Sequence, residues 1–172
     1  MNKISIFLTP TKKFLLLYLT FIVFFFMLIE YSYFESVLHI NGVYSFWVTK
    51  VSALTMNLYT PVSYDNSFIY LKHATLEVKF GCNGLESLLL YVSAVLAYPA
   101  TFKQKGIGVL VGFLVINIVN IFRIMVLGYV LIEYPDMFDV MHSYVTQNIM
   151  IVFVFLLFLI YLNLIESYAN RS

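Results

Sequence analysis

The chain has 172 residues, of which 62% are hydrophobic, 19% are aromatic and only 11% are charged. A soluble domain is nearer half apolar and a quarter charged, so this composition indicates a single integral membrane domain over residues 1–172. The formal net charge of +1, with the lysines scattered along the chain, excludes the basic surface of a nucleic-acid-binding protein.

The N-terminal part of the chain predicts a first membrane span. A short polar lead with Lys3, Lys12 and Lys13 precedes an apolar run over residues 14–34, which only Glu30 interrupts. About 20 apolar residues cross the hydrocarbon core of a bilayer. A cleaved signal peptide is the alternative, but the run is long for one and no small-residue cleavage site follows it. We therefore interpret residues 14–34 as a retained span.

Residues 36–60 predict a helix that lies in the membrane interface. Polar side chains share this segment with apolar ones, and a lysine such as Lys50 at the centre of a span costs a few kcal/mol. The two-faced pattern is typical of an interfacial helix, with a fifth membrane span as the alternative. The apolar residues that recur at helical spacing are Val43, Trp47, Val51, Leu54 and Leu58.

Residues 61–80 predict a short β-hairpin outside the membrane. A cluster of turn-forming residues at 64–67 precedes two alternating runs, at residues 68–71 and 75–80. Alternation of this kind is typical of half-buried strands. The hairpin leads directly to the cysteine discussed below.

Three further apolar runs predict helical spans over residues 85–102, 107–132 and 143–165. The fold class is therefore an all-α membrane protein. We expect about four transmembrane helices, an interfacial helix and a short extracytoplasmic β-hairpin.

Positive charge predicts the orientation of these spans. Short basic segments stay on the cytoplasmic side, and the N-terminal lead and residues 103–105 are such segments. Four alternating spans then place both termini in the cytoplasm. The loop 35–83 and residues 133–142 lie on the outer side of the inner (plasma) membrane. A fifth span over residues 36–60 would turn residues 103–105 outward, against this rule.

Cys82 is the only cysteine, and it lies where a loop turns into an apolar helix, in residues 81–87 (GCNGLES). A cysteine reacts as the thiolate, and a helix N-terminus or a nearby cation lowers its pKa. Gly81 and Gly84 allow a sharp turn and the close approach of a substrate. The alternative is an inert, small apolar side chain. One cysteine forms no internal disulfide and no zinc-site spacing is present, so we expect no metal and no other cofactor.

Arg123 lies inside the span predicted at residues 107–132. Ionisable groups within a span are costly and usually functional. Asn120 lies three residues earlier and shares a helix face with Ile116 and Leu127. A polar stripe must face the bundle, because lipid offers no hydrogen bonds. The alternative is a structural arginine that binds loop carbonyls or reaches up to the lipid headgroups.

His142 precedes Ser143, which we predict as the N-cap of the last span. Its unperturbed pKa of about 6.5 suits acid–base chemistry near neutral pH. A solvated surface histidine is the alternative. His39 and His73 share the predicted outer side and are rivals for the same role.

Cys82, Arg123 and His142 meet in the predicted topology. Arg123 lies roughly 13 Å below the outer end of its helix, at about 1.5 Å per residue, and a long guanidinium covers part of that distance. A thiol, a fixed cation and a proton carrier together predict a cysteine acyl-transfer centre. Glu86 lies four residues after Cys82 and either orients the base, pairs with Arg123 or satisfies local charge.

These residues resemble the exosortase/archaeosortase family. The resemblance rests on the turn at residues 81–85 opening a span, on the Asn-x-x-Arg-Ile motif at residues 120–124, and on His142 at the head of the last span. The hairpin before the cysteine also looks like that family. The similarity covers roughly residues 50–165.

The resemblance implies that Cys82 is the nucleophile, Arg123 the stabiliser and His142 the acid–base residue, with Asn120 in a supporting role. Asn83 departs from the family, in which serine is common after the cysteine. The chain also looks like a short form, since many members have additional N-terminal spans. An accessory subunit would then supply the missing docking surface.

The implied function is a membrane cysteine protease or transpeptidase that cleaves C-terminal sorting signals of exported proteins through a thioester. Such signals combine a short motif, a transmembrane helix and basic residues. The alternative is a non-enzymatic membrane assembly subunit in which Cys82 and Arg123 are structural. A small transporter is disfavoured, because no chain of acidic residues accompanies Arg123 across the membrane.

Overall fold

The computed structural model describes residues 9–30 and 39–169, and it is an all-α membrane protein with one small sheet, as predicted. The predicted features at Lys3, at the end of the first span (residues 31–34) and at the start of the outer loop (residues 35–38) lie outside the described residues. The main helices are α1 (Pro10–Glu30), α2 (Ile40–Met56), α3 (Leu85–Ala97) and α4 (Phe102–Glu133).

The last part of the chain is a continuous helical segment of changing pitch. Its parts are a 3₁₀ turn (Pro135–Met137), the short helix α5 (Phe138–Val140), a π-helical turn (Met141–Thr146) and α6 (Gln147–Ala169). The predicted N-cap at Ser143 is therefore wrong. Helical structure begins at Pro135, because proline suits the first position of a helix and Asp136 favours its positive end.

Among residues 9–30 and 39–169, three helices are long and apolar enough to cross a membrane, namely Pro10–Ile29, Phe102–Glu133 and Pro135–Ser167. Helix α3, which corresponds to the remaining predicted span at residues 85–102, has 13 residues. That makes it about 20 Å long, which is short of a hydrocarbon core of about 30 Å. It ends at Ala97, because Pro99 holds the backbone of Tyr98 extended, at φ −71° and ψ 139°.

Helix α4 begins five residues earlier than the predicted span. Thr101 and Gln104 form a reciprocal capping box, which satisfies free N–H groups at the start of the helix. Residues 103–105, predicted as a connecting loop, therefore lie in the first turn of α4.

Helices α3, α4 and α6 alternate in direction and pack as a bundle. The ring of Tyr91 in α3 lies directly against Gly112 of α4, and Tyr161 in α6 lies against Gly108. The N-terminal ends of α3 and α6 therefore both lie beside the C-terminal half of α4. Helix α1 packs along α3.

Helix α2 runs along the C-terminal half of α4 in the same direction. Tyr44 donates to Asn117 at 2.9 Å near one end, and Met56 lies against Gly128 at the other. Its apolar stripe, which includes Trp47 and Leu54, is exposed. The interfacial position of α2 stays a prediction. The residues buried against the rest of the protein are Ser45, Val48, Thr49, Ser52, Ala53 and Met56.

A three-stranded antiparallel sheet, in the order β1-β2-β3, follows α2. Its strands are β1 (Ser63–Asp65), β2 (Phe68–Tyr70) and β3 (Thr75–Glu77). The predicted hairpin corresponds to β2 and β3, and β1 is additional. Of the predicted turn at residues 64–67, the first two residues belong to β1, and the turn itself is Asn66 and Ser67, where Asn66 has a positive φ of 48°. Ile69 and Leu76 pair across the sheet and cover the apolar cluster that contains Cys82.

Candidate functional site

The Cys82 turn is a tight backbone structure between the sheet and α3. The N–H groups of Cys82 and Asn83 both donate to the Lys79 carbonyl, each at 2.8 Å. Gly81 and Gly84 have φ values of 87° and 83°, a left-handed conformation that other residues adopt only under strain. The two glycines therefore let the chain reverse on both sides of the cysteine.

Asn83 ties this turn to two helices. Its Oδ1 accepts from the N–H of Leu85 at 3.0 Å, which satisfies a free donor at the start of α3. Its Nδ2 donates to Asn41 Oδ1 and to Ser45 Oγ of α2, each at 2.8 Å. An asparagine at this position therefore fixes the turn against α2, a role that sequence analysis did not find.

The Cys82 thiol is enclosed, with 2% of the residue exposed. It belongs to the same buried apolar cluster as Val78, Ile124 and Leu127. Burial raises the pKa of Cys82, while the charges of Arg123 and then Lys79 act in the opposite direction. The net shift is thus opposite to the lowered pKa expected from a helix N-terminus and a cation.

Arg123 faces the bundle and not the lipid, with 6% of the residue exposed. Its Nη1 and Nη2 each lie 3.5 Å from the carbonyl oxygen of Gly81, the residue before the cysteine. Nε donates to Thr146 Oγ1 at 3.0 Å, and Nη2 donates to Gln147 Oε1 at 3.1 Å. The guanidinium thus joins α4, the Cys82 turn and the start of α6.

His142 lies on the same side of the bundle, in the π-helical turn. Turns of this kind are rare and frequently occur at functional sites. Its carbonyl accepts from Thr146 Oγ1 at 3.2 Å, and its ring stacks on Phe138 with centroids 5.6 Å apart. Within the described part of the chain, its imidazole makes no hydrogen bond to Cys82 or Arg123.

Glu86 reaches Arg123 through Gln147 and not directly. Gln147 Nε2 donates to Glu86 Oε2 at 3.3 Å, while Gln147 Oε1 accepts from Arg123. Neither Thr146 nor Gln147 is among the residues predicted from the sequence. The available signal was the short polar interruption of the apolar run one turn after His142.

The rival histidines lie before α2 and in the sheet, not on the helical segments that carry Arg123 and His142. His39 precedes α2 with a φ of 46°, and His73 lies in the turn between β2 and β3. Both are exposed, and neither hydrogen-bonds Arg123 or the Cys82 turn among residues 9–30 and 39–169. Over the same residues, no group of three or more histidine, cysteine, aspartate or glutamate side chains could hold a metal ion.

Asn120 lies one turn before Arg123 on the same face of α4. A Cβ built on Gly84 would lie only 2.7 Å from Asn120 Cγ, so this side chain packs directly on the Cys82 turn. The residue is 1% exposed. Neither its Nδ2 nor its Oδ1 has a hydrogen-bond partner in the part of the chain that the structure describes.

Comparison with known proteins identifies the family. The family model described as transmembrane exosortase matches residues 4–162. A probable archaeosortase E from Methanocaldococcus jannaschii is 29% identical over 156 residues, which cover 90% of this chain and 79% of that protein. No solved structure matches the chain. On the extent of the family match, the chain belongs to the transmembrane exosortase family.

Proposed function

We propose that this protein is a membrane cysteine transpeptidase that cleaves C-terminal sorting signals of exported proteins. Family membership supports a membrane transpeptidase-type function and does not favour a non-enzymatic assembly subunit. The observation that carries the proposal is the Arg123 guanidinium held against the Gly81 carbonyl, next to Cys82. A fixed cation therefore lies beside the only thiol of the chain.

In the proposed reaction, Cys82 loses its proton to a base, for which His142 is the candidate. The thiolate attacks the scissile carbonyl carbon, and the carbonyl electron pair moves to oxygen. When the resulting oxyanion collapses, the C–N bond breaks and the tail leaves as an amine with a proton from the base. An incoming amine or water then attacks the thioester and restores the thiol.

Arg123 has two roles in this scheme. It opposes the rise in the pKa of Cys82 that burial causes, so it favours the reactive thiolate. It also offers positive charge where the oxyanion develops, and such charge acts strongly in a site without water. Glu86, through Gln147, holds the guanidinium in position.

The substrate segment is a C-terminal tail containing a transmembrane helix, which docks along the apolar bundle. The site faces the extracytoplasmic side, with both termini in the cytoplasm. Because Cys82 is enclosed by residues of α2 and the sheet, docking must displace part of this cover. An accessory subunit is a further expected partner.

Processing in cells tests the proposal. Cells that express Cys82→Ala or Cys82→Ser in place of the native chain are expected to accumulate exported proteins with intact C-terminal tails. Mass spectrometry of the membrane fraction measures them. Ser143→Ala, at an exposed helical position, is the control and is expected to process normally.

Continued processing by Cys82→Ala would refute the enzyme and favour the assembly-subunit alternative. A subunit keeps its function when oxygen replaces sulfur, whereas a thiol nucleophile does not. Amounts of each variant in the membrane are measured alongside, so that a loss of processing is assigned to chemistry and not to degradation.

A further inference from the structure

Asn120 is a buried amide whose hydrogen-bonding groups have no partner among residues 9–30 and 39–169. With 1% of the residue exposed, both its donor and its acceptor have also lost water. A buried polar group without a partner destabilises a fold, and so calls for an explanation. An amide kept in this state is available to bind a ligand.

Asn120 lies beside the Cys82 turn. On the face of α4, Asn120 and Arg123 are one turn apart, about 4.5 Å along the helix axis. Arg123 contacts the Gly81 carbonyl, and Asn120 packs on Gly84. The backbone of Cys82 therefore lies between a residue that contacts the engaged guanidinium and one that contacts the free amide.

Two neighbouring asparagines show that the free amide is specific to this position. Asn117, one turn earlier, donates to the Phe113 carbonyl at 2.8 Å and accepts from Tyr44 at 2.9 Å. Asn83 uses its whole amide to hold the turn against α2 and α3. In the described part of the chain, only Asn120 of these three retains both groups for a substrate.

The two backbone N–H groups at the nucleophile are already engaged. In many acyl-transfer sites, N–H groups beside the nucleophile bind the oxyanion. Here the N–H groups of Cys82 and Asn83 both donate to the Lys79 carbonyl at 2.8 Å. These two groups are therefore not free for an oxyanion, which leaves room for a side-chain donor.

We propose that Asn120 is a catalytic residue whose Nδ2–H donates to the substrate carbonyl oxygen as it becomes an oxyanion at Cys82. The inference rests on the proposed function and gives Asn120 a specific task within it. During attack, the S–C bond forms and the carbonyl electron pair moves to oxygen. The Asn120 amide stabilises that charge opposite Arg123, and no proton is transferred to or from Asn120.

Two small probes of the same thiol test the inference without a known substrate. p-Nitrophenyl acetate acylates Cys82 through a tetrahedral oxyanion and releases p-nitrophenolate. Iodoacetamide alkylates Cys82 by displacement of iodide and forms no oxyanion. The ratio of the two rates cancels changes in access to the thiol and in its thiolate fraction.

Asn120→Leu is expected to lower the ratio of acylation to alkylation by about 10²-fold, the typical effect of removing one oxyanion donor. Asn120→Ala serves as a second variant without the bulk of leucine and is expected to show the same loss. Asn117→Leu makes the same substitution one turn away and should leave the ratio unchanged. Cys82→Ala gives the background rate of each probe.

A ratio within twofold of the unaltered protein in both Asn120 variants would overturn the inference. An equal fall in Asn117→Leu would overturn it as well, because the effect would not be specific to the free amide. Because the amide has no described partner, Asn120→Leu should unfold at the same or a higher temperature, and an Asn120 that only fills space would leave the ratio intact. None of these results touches the processing experiment on Cys82, so the two proposals fail separately.

Discussion

Two regions of buried polar groups meet at the Cys82 turn, and they differ in how completely those groups are paired. The first is the Arg123 network, which consists of Arg123, the Gly81 carbonyl, Thr146, Gln147 and Glu86. Every contact in it joins two different elements among α3, α4, the π-helical turn, α6 and the Cys82 turn, at distances of 3.0–3.5 Å. This side of the site is held by directed bonds to a buried charge.

The second region is the α2–α4 interface, where the hydroxyls of Thr49 and Ser52 are fully buried. Neither hydroxyl has a hydrogen-bond partner within residues 9–30 and 39–169. Unpaired buried groups lower the free energy needed to open an interface, because opening returns them to water. The Arg123 network thus holds its side of the cysteine with directed bonds, and we expect α2 to be the side that moves when the thiol is uncovered.

The largest expected effect is the loss of the Arg123 network. Arg123→Met removes the guanidinium and leaves the Gly81 carbonyl, Thr146 and Gln147 without their donor. Hydrogen bonds to a charged group contribute roughly 1.5–3 kcal/mol each, so we expect the free energy of unfolding to fall by about 3 kcal/mol or more. Chemical unfolding in mixed detergent micelles measures the change.

Arg123→Lys is the matched control, since lysine keeps the charge but lacks the planar fork of donors. It is expected to recover part of the stability and little of the processing activity. Equal unfolding of Arg123→Met and the native chain would show that the network does not hold the site. The Arg123 network would then be no better held than the α2–α4 interface.

A pair of isosteric substitutions compares the Arg123 network with the α2–α4 interface directly, with smaller expected changes in the free energy of unfolding. Thr146→Val removes a hydroxyl that accepts from Arg123 and donates to the His142 carbonyl. It is expected to cost roughly 1.5–3 kcal/mol of unfolding free energy. Thr49→Val removes a buried hydroxyl without a described partner, so it should be neutral or stabilising by up to about 1 kcal/mol.

The sign of the two changes is the decisive observation in this pair. Both substitutions replace a hydroxyl with a methyl group at a buried position, so the difference in volume is the same. A loss of equal size in both variants would mean that the α2–α4 interface is as well paired as the Arg123 network. Unfolding curves of the two variants in the same micelles settle the matter.

Hydrophobicity was enough to predict the membrane class and the approximate places of the helices. A run of about 20 apolar residues has few stable environments other than the bilayer or a protein core. The ends were less predictable, because they depend on single residues. Pro99 stops α3 early and Pro135 starts the last helical segment, whereas Ser143 looked like a cap and is not one.

The inward direction of Arg123 was also predictable, because a charge finds no partner in lipid. Its shared face with Ile116, Asn120 and Leu127 is observed, and all four residues are buried. Its partners Thr146 and Gln147 were not predicted. They depend on how far α6 slides along α4, and no local pattern in the chain fixes that register.

The prediction of a lowered pKa for Cys82 is wrong for a related reason. A helix N-terminus and a nearby arginine both favour the thiolate, and the sequence shows both. Burial acts in the other direction and is stronger here. Burial results from the packing of α2 and the sheet over the turn, which the order of residues does not reveal.

The smallest expected effect concerns the pH dependence of the thiol. Burial raises the pKa of Cys82, so less thiolate is present at neutral pH than in a free cysteine. Because only the thiolate is alkylated, the iodoacetamide rate should rise with pH and reach its midpoint above that of a free cysteine. Measuring the rate from neutral to strongly alkaline pH in micelles gives this midpoint.

Lys79→Met tests whether a charge near the Cys82 turn affects the pKa of the thiol. Lys79 lowers the pKa of Cys82 less than Arg123 does, so its loss should move the midpoint to still higher pH. The shift should be small, because the Lys79 side chain is 69% exposed and water screens its charge. Lys72→Met removes an exposed lysine after β2 and should leave the midpoint in place.

A midpoint that falls in Lys79→Met, or that moves equally in both variants, would contradict a local electrostatic effect of Lys79 on the pKa of Cys82. Arg123 would then be the charge that alone opposes the effect of burial on the pKa of Cys82.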